Sequence, residues 1–237
     1  MLLIAGILLS QPRWLFSLAT NFFPGALYAV DTADNKPDTK QIALTIDDGP
    51  SPATTEILAV LAEHNVKATF FNIGDNLAGN EAAIQQTVAA GHELGNHLTT
   101  DYPSIRLSNK DFEANLLTAE QALRSFLKTE QPASELKWLR PGMGFYSSAM
   151  VKTAQKHDYR VVLGSRFPYD THIHSSRFAS AFILHTVQPG DIIVLHDGEA
   201  ENGKEGRGDR TIKTLQTILP ALQKEGYTIT TLSDLTK

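Results

Sequence analysis

The densest chemistry in this chain sits where an apolar run ends. Ile42-Ala43-Leu44-Thr45-Ile46 reads as a buried strand, and it stops on Asp47-Asp48-Gly49-Pro50. Two adjacent carboxylates at a strand end repel each other, and burying both without compensation is costly. A plain turn seldom needs two charges flush against a core strand. The pair reads instead as one carboxylate that binds a cation and another that moves protons. A second polar cluster is Gly95-Asn96-His97-Leu98-Thr99-Thr100-Asp101. His97 and Asp101 are four positions apart, so on a helical or turn-like stretch both can face one point. Alone they read as loop and turn caps. Beside Asp47-Asp48 they complete a set of one imidazole and two carboxylates, Asp48, His97 and Asp101, with a position left for water and substrate.

An alternation of strands and helices must position these groups. Ser51 to Asn65 carries Ile57, Leu58, Val60 and Leu61 as a helix, and Ala68 to Ile73 is a second apolar strand. Glu81 to Ala90 reads as a helix closed by Gly91, and His92 to Asn96 as a short strand leading into His97. Ser108 and Asp111 make a box-like helix start, continued by Phe112, Leu116, Leu123 and Leu127. Trp138-Leu139 is a strand that delivers Arg140 to a Pro-Gly turn, and Ser147 to His157 is a helix. Arg160 to Gly164 and Asp191 to Leu195 are strands, the latter ending on His196-Asp197. Asp209 to Glu225 is a helix that Pro220 should bend, and Thr228 to Leu232 is a last strand. Such alternation predicts parallel pairing with crossover helices, and the charged residues follow the strands, where α/β barrels assemble their sites. The expected fold is α/β, a single irregular (β/α) barrel of about seven parallel strands.

Composition narrows the chemistry. The chain has 237 residues, no cysteine and a net charge of −5, with 21 basic residues in no dense cluster. Thiolate sites and disulfides are excluded, and nucleic acid is not an expected partner. Any metal must be held by His, Asp or Glu. Met1 to Ser10 is apolar but falls short of the about 20 residues needed to span a bilayer, and no basic residue precedes it. Ser17-Leu18-Ala19 has a small-x-small cleavage pattern, and Trp14 to Val30 is a second apolar block. Export or membrane association through residues 1–30 and a helix packed on the domain both stay open, as does the oligomeric state. Asp31 to Lys40 reads as a connector.

The motifs together resemble the polysaccharide deacetylase family, the NodB-homology domain of carbohydrate esterase family four. Thr45-Ile46-Asp47-Asp48-Gly49-Pro50 is similar to its first motif. His97-Leu98-Thr99-Thr100-Asp101 is similar to its second, with Asp101 where the family usually has histidine. Arg140-Pro141-Gly142-Met143-Gly144 is close to the family's Arg-Pro-Pro-Tyr-Gly loop, and Ile192 to His196 matches its fifth motif. Phe167-Pro168-Tyr169-Asp170 is the nearest candidate for the fourth.

The resemblance covers residues from about Gln41 to the C-terminus, so 41–237 would be the catalytic domain and 1–40 an N-terminal segment and connector. It implies hydrolytic removal of N-acetyl groups from an amino-sugar polymer or oligomer, peptidoglycan-like or chitin-like. The implied cofactor is one divalent metal ion, Zn or else Co, Mn or Ni, on Asp48, His97 and Asp101. It also implies Asp47 as base held by Arg140, and His196 as acid tuned by Asp170. Met143 through its N–H, Leu195 in an acetyl pocket and Pro141 on the loop would contact substrate. The other readings are a non-catalytic glycan-binding relative and an amidase for small non-peptide C–N bonds. His172 and His174 are read as loop residues, and Arg207-Gly208-Asp209 as a chance adhesion tripeptide ending a solvated loop from Gly198.

Overall fold

A nine-residue strand with almost no exposed side chain needs partners on both edges and cover on both faces. Strand β2 (Gln41–Gly49) is such a strand, buried at every position after Gln41. The computed structural model describes residues 10–31, 40–127, 136–198 and 206–237. The apolar opening of the chain, most of the 31–40 connector and most of the 198–208 run fall outside those residues. Around β2 lie β1 (Ala26–Leu27), β3 (Thr69–Asn72), β4 (Glu93–Asn96), β5 (Trp138–Leu139), β6 (Arg160–Val162), β7 (Ile192–His196) and β8 (Thr228–Thr230). The sheet order is β1-β6-β5-β4-β3-β2-β7, every pairing parallel, with β8 beside the start of β2.

The sheet closes on itself just after β6. The Ser165 and Arg166 N–H groups donate to the Ile192 carbonyl at 3.0 and 3.1 Å, and Val194 N–H donates to the Arg166 carbonyl at 2.9 Å. Asp191 anchors this seam from inside, accepting from Ser165 Oγ at 2.8 Å and pairing with Arg166 Nε at 2.8 Å. The expected irregular barrel is therefore present.

The helices are α1 (Arg13–Phe22), α2 (Thr54–Glu63), α3 (Glu81–Ala89), α4 (Asn109–Arg124), α5 (Ser148–Lys156), α6 (Ser176–Thr186), α7 (Arg207–Lys224) and α8 (Leu232–Leu235). Ser108 caps α4, its hydroxyl accepting from Asp111 N–H at 3.2 Å, as the box-like start predicts. Several elements differ from the sequence reading, three of them near the site or the chain's end. Helix α6 was not foreseen, although Ser175 caps it and Ala179 and Ile183 bury one stripe. The last strand stops at Thr230, because Thr231 caps α8 through Asp234 N–H. Helix α7 begins two residues early, at Arg207, and runs on through Pro220 to Lys224.

The N-terminal segment is tied to the closing seam. Gln11 pairs its side-chain amide with Phe167 in both directions, at 2.6 and 2.9 Å, and Arg166 Nη1 donates to the Gln11 carbonyl at 2.5 Å. Arg13 donates to the Pro189 carbonyl. Helix α1 itself buries no residue, and Trp14, Leu18 and Phe22 stay exposed along it. Ser17, Leu18 and Ala19 lie within this helix. Among the described residues, no helix is long and apolar enough to cross a membrane.

Candidate active site

Successive side chains on a regular strand point to opposite faces, so two neighbouring carboxylates need an irregularity to serve one site. Strand β2 supplies it. Asp47 is opposite Phe71 of β3, but Gly49 is already opposite Asn72, so Asp48 is an inserted residue in a bulge. Asp48 adopts φ +67°, a left-handed conformation that costs of order 1–3 kcal/mol in a non-glycine residue. Leu98, Met143 and Tyr169, on three other site loops, share it. Four of the seven non-glycine residues with positive φ among the described residues therefore lie on the loops around the site.

Asp47 is buried and held from one side. Arg140 Nη1 lies 2.5 Å from its Oδ1 and 2.8 Å from Thr45 Oγ1. The guanidinium in turn lies 4.2 Å above the Phe71 ring, a cation–π contact. That ring fits because Gly95 leaves room; a Cβ there would come within 2.5 Å of ring atoms. Arg140 Nη2 is buried without a partner among the described residues. On the other edge, β7 sets His196 directly opposite Asp47 in the parallel register.

His196 is oriented by Asp170. Its Nδ1 lies 3.0 Å from both Asp170 oxygens, and its backbone N–H donates to Oδ2 at 3.1 Å. Burial opposes charge on the imidazole, but the carboxylates of Asp170, Asp48 and Asp47 outweigh it and raise the pKa to about 9. Phe167 packs edge-on at 5.6 Å, in the stretch that is the nearest candidate for the fourth motif. Arg210 Nη2 donates to the Asp170 carbonyl at 3.2 Å and Thr211 Oγ1 to the His196 carbonyl at 2.7 Å, so α7 fixes this pair.

The predicted ligand set also converges. One donor atom each from Asp48, His97 and Asp101 falls within 4.8 Å of the others. His97 Nδ1 lies 2.7 Å from the Arg140 carbonyl, which can only accept, so Nδ1 carries a proton and Nε2 faces Asp48 Oδ1 at 3.3 Å. Asn96 locks the loop, accepting from Leu98 N–H at 2.8 Å. Burial disfavours a charged His97, yet the hydrogen bond to Asp48 and the charges of Asp47 and Asp48 raise its pKa. Burial likewise opposes ionisation of Asp48, but His97, His196 and Arg207 hold it well below the usual carboxylate range. Asp101 is exposed, and partial desolvation with repulsion from Asp48 raises its pKa. An imidazole nitrogen facing two carboxylates suits a divalent cation of borderline to hard character.

Three expectations need restating. The Met143 N–H, assigned to a reacting oxygen, donates to Asp101 Oδ1 at 3.1 Å, because the left-handed turn at Met143 points it there. Leu195, assigned to an acetyl pocket, is wholly buried in the apolar core and opposite Ile46 in the strand register. Pro141 is buried as well, and Gly142 follows it for two reasons. Its N–H donates to Ser104 Oγ at 2.8 Å, which proline could not do, and a Cβ would come within 2.3 Å of the Tyr102 carbonyl. His172 and His174 are exposed loop residues, as read.

The residue that sequence reasoning missed is Arg207. It is not part of a free loop but opens α7 and places Nη1 at 2.6 Å from Asp48 Oδ2. Its partner is 159 positions away, and no local pattern links them.

The family that this fold and these motifs point to is one of hydrolases acting on carbon–nitrogen bonds other than peptide bonds, and comparison with known proteins shows it. The family model for polysaccharide deacetylases matches residues 34–162, and the chain belongs to that family. It is similar to a peptidoglycan-N-acetylglucosamine deacetylase of Bacillus cereus, 32% identical over 200 residues, covering 83% of this chain and 88% of the relative. A chitooligosaccharide deacetylase of Sinorhizobium fredii is 34% identical over 196 residues, covering 81% and 89%. Among solved structures, the CE4 domain of a multidomain xylanase from the hindgut metagenome of Trinervitermes trinervoides superposes with TM-score 0.72 at 29% identity, covering 84% of this chain and 90% of that one.

Proposed function

We propose that this chain removes N-acetyl groups from an amino-sugar polymer or oligomer with the help of a divalent metal ion. The observation that carries the reading is the adjacency of two functional units. A three-donor cation site at Asp48, His97 and Asp101 lies beside Asp47, which in turn faces His196 across the strand pair. The names of the relatives point to N-acetylglucosamine polymers and chitooligosaccharides as the substrate class.

A cation held by these three residues, Zn or else Co, Mn or Ni, would polarise the acetyl carbonyl and bring the pKa of water from about 16 toward 7. Asp47, fixed by Arg140, accepts the proton of the attacking water. Water oxygen bonds to the acetyl carbon, and the C–N bond then breaks. His196, with Nδ1 held by Asp170, delivers a proton from its other ring nitrogen to the departing amine. The products are acetate and a free amino sugar.

The test is acetate release from N-acetylglucosamine oligomers and from peptidoglycan, before and after chelation and with Zn, Co or Mn restored. Turnover that stops on chelation and returns with metal supports the reading. Acetate release indifferent to chelation, or glycan binding with no release under any metal, overturns it.

We also infer work outside the cytoplasm or at a membrane, on the strength of the apolar opening of the chain and the exposed Trp14, Leu18, Phe22 and Phe23. Fractionation of expressing cells tests this; a wholly cytosolic protein would refute it.

A further inference from the structure

Three carboxylates crowd the mouth of this barrel, and each needs an accounting of positive charge. Asp47 has Arg140. Asp48 has two faces. Its Oδ1 looks toward His97 Nε2 at 3.3 Å, in the direction of the candidate metal position, while its Oδ2 is held by Arg207 Nη1 at 2.6 Å. Asp101 adds a negative charge where a histidine would add none.

Arg207 is not a wandering surface side chain. It stands in the first turn of α7, and that turn is clamped to the floor of the site. Gly208 N–H donates to the Gly198 carbonyl at 3.0 Å, and a Cβ on Gly208 would come within 2.3 Å of Ala53 Cβ. Gly206 N–H donates to Asp209 Oδ2 at 3.2 Å. The guanidinium lies on the wall of a cavity of about 300 Å³ that also exposes Asp48, Asp101 and Asn76. Its side chain is 25% exposed, against 6% for Asp48.

We propose that Arg207 is a resident counter-cation of the metal centre. It neutralises Asp48 when no metal is bound and competes electrostatically with a divalent ion for that carboxylate. The inference rests on the reading of Asp48, His97 and Asp101 as ligands. Its consequence is a metal affinity held below what the three donors alone would give.

Two measurements test this. The first is Zn titration against a chromogenic chelator for the unaltered chain, Arg207→Gln, Arg207→Lys and Asp48→Asn. Glutamine keeps a donor for Asp48 and removes the charge, so Arg207→Gln should bind Zn about tenfold tighter, with Arg207→Lys near the parent. The second is thermal unfolding of the metal-free proteins, including the Asp48→Asn/Arg207→Gln double variant. Each single change should lower the melting temperature, and the double variant should fall by less than their sum. Zn affinity unchanged or weakened by Arg207→Gln, while Asp48→Asn abolishes binding, overturns the proposal and leaves the metal reading intact. No Zn uptake by any of the proteins overturns both. Strict additivity in the unfolding series also counts against it.

Discussion

Asp47 and His196 are register partners on neighbouring parallel strands, so the two groups assigned to proton transfer start from backbones about 4.8 Å apart. Each is then fixed from its outer side, Asp47 by Arg140 and His196 by Asp170. The strand pair sets their separation, and the flanking ion pairs set their aim. On the proposed mechanism, a substrate amide beside this pair would meet an acceptor and a donor with little side-chain reorganisation left to do.

The first consequence concerns Asp47. Asp47→Asn should lower deacetylation by roughly 10²–10⁴-fold, the range expected for loss of a positioned base. Zn binding should persist, because Asp48, His97 and Asp101 are left in place. Parallel acetate-release and metal-titration measurements check both halves.

A second expectation follows from pH. The pKa of His196 is raised to about 9, chiefly against burial by Asp170. As an acid, His196 must be protonated, so kcat/KM should fall as pH rises through about 9. Asp170→Asn removes the stabilising charge and should move that alkaline limb downward, toward the ordinary histidine range. The stability linkage has the same sign. The folded pKa lies above the unfolded value of 6.5, so the contribution is complete below that value and is lost as pH rises toward about 9. Urea titrations across that interval, on the parent and on Asp170→Asn, would check it.

Asp101→His asks whether Asp101 is a ligand. Imidazole there should keep or tighten Zn binding and favour Zn over Mn, since the donor set becomes softer. Asp101→Ala should weaken binding of any divalent ion. Calorimetric titration with both metals distinguishes these outcomes from a purely structural Asp101, which would leave affinity unmoved in both variants.

Gly95→Ala tests the packing beneath the site. The added methyl would press on the Phe71 ring that supports Arg140, so stability should fall by about 1–3 kcal/mol. Turnover should fall as well, because Arg140 loses its seat. Denaturant unfolding and acetate release together check this.

How much of this was legible from sequence depends on whether the determinant is local. Asp47-Asp48, the loop with His97 and the strand end with His196 announce themselves within a few residues, since an apolar run that stops on charge is a local pattern. The barrel follows from the alternation of elements. What could not be read are relations across the chain. The Asp48 bulge becomes evident only beside β3, and the capture of Asp48 by Arg207 spans 159 positions. The diversion of the Met143 N–H to Asp101 depends on a left-handed turn that its methionine does not advertise. Helix α6 is hard to read because only Ala179, Ser180 and Ile183 are buried along it, too short a stripe to stand out in the sequence.

The Gln11 amide, which completes a two-way pairing with the Phe167 backbone, makes the amino-terminal stretch part of the seam that shuts the barrel. Expression plasmids begun after Ala19 would strip Gln11 and Arg13 from Arg166 and Asp191. Such a shortened product should be harder to purify intact than one that retains residue 10 onward, and solubility screens ought to treat that boundary as the variable to explore first.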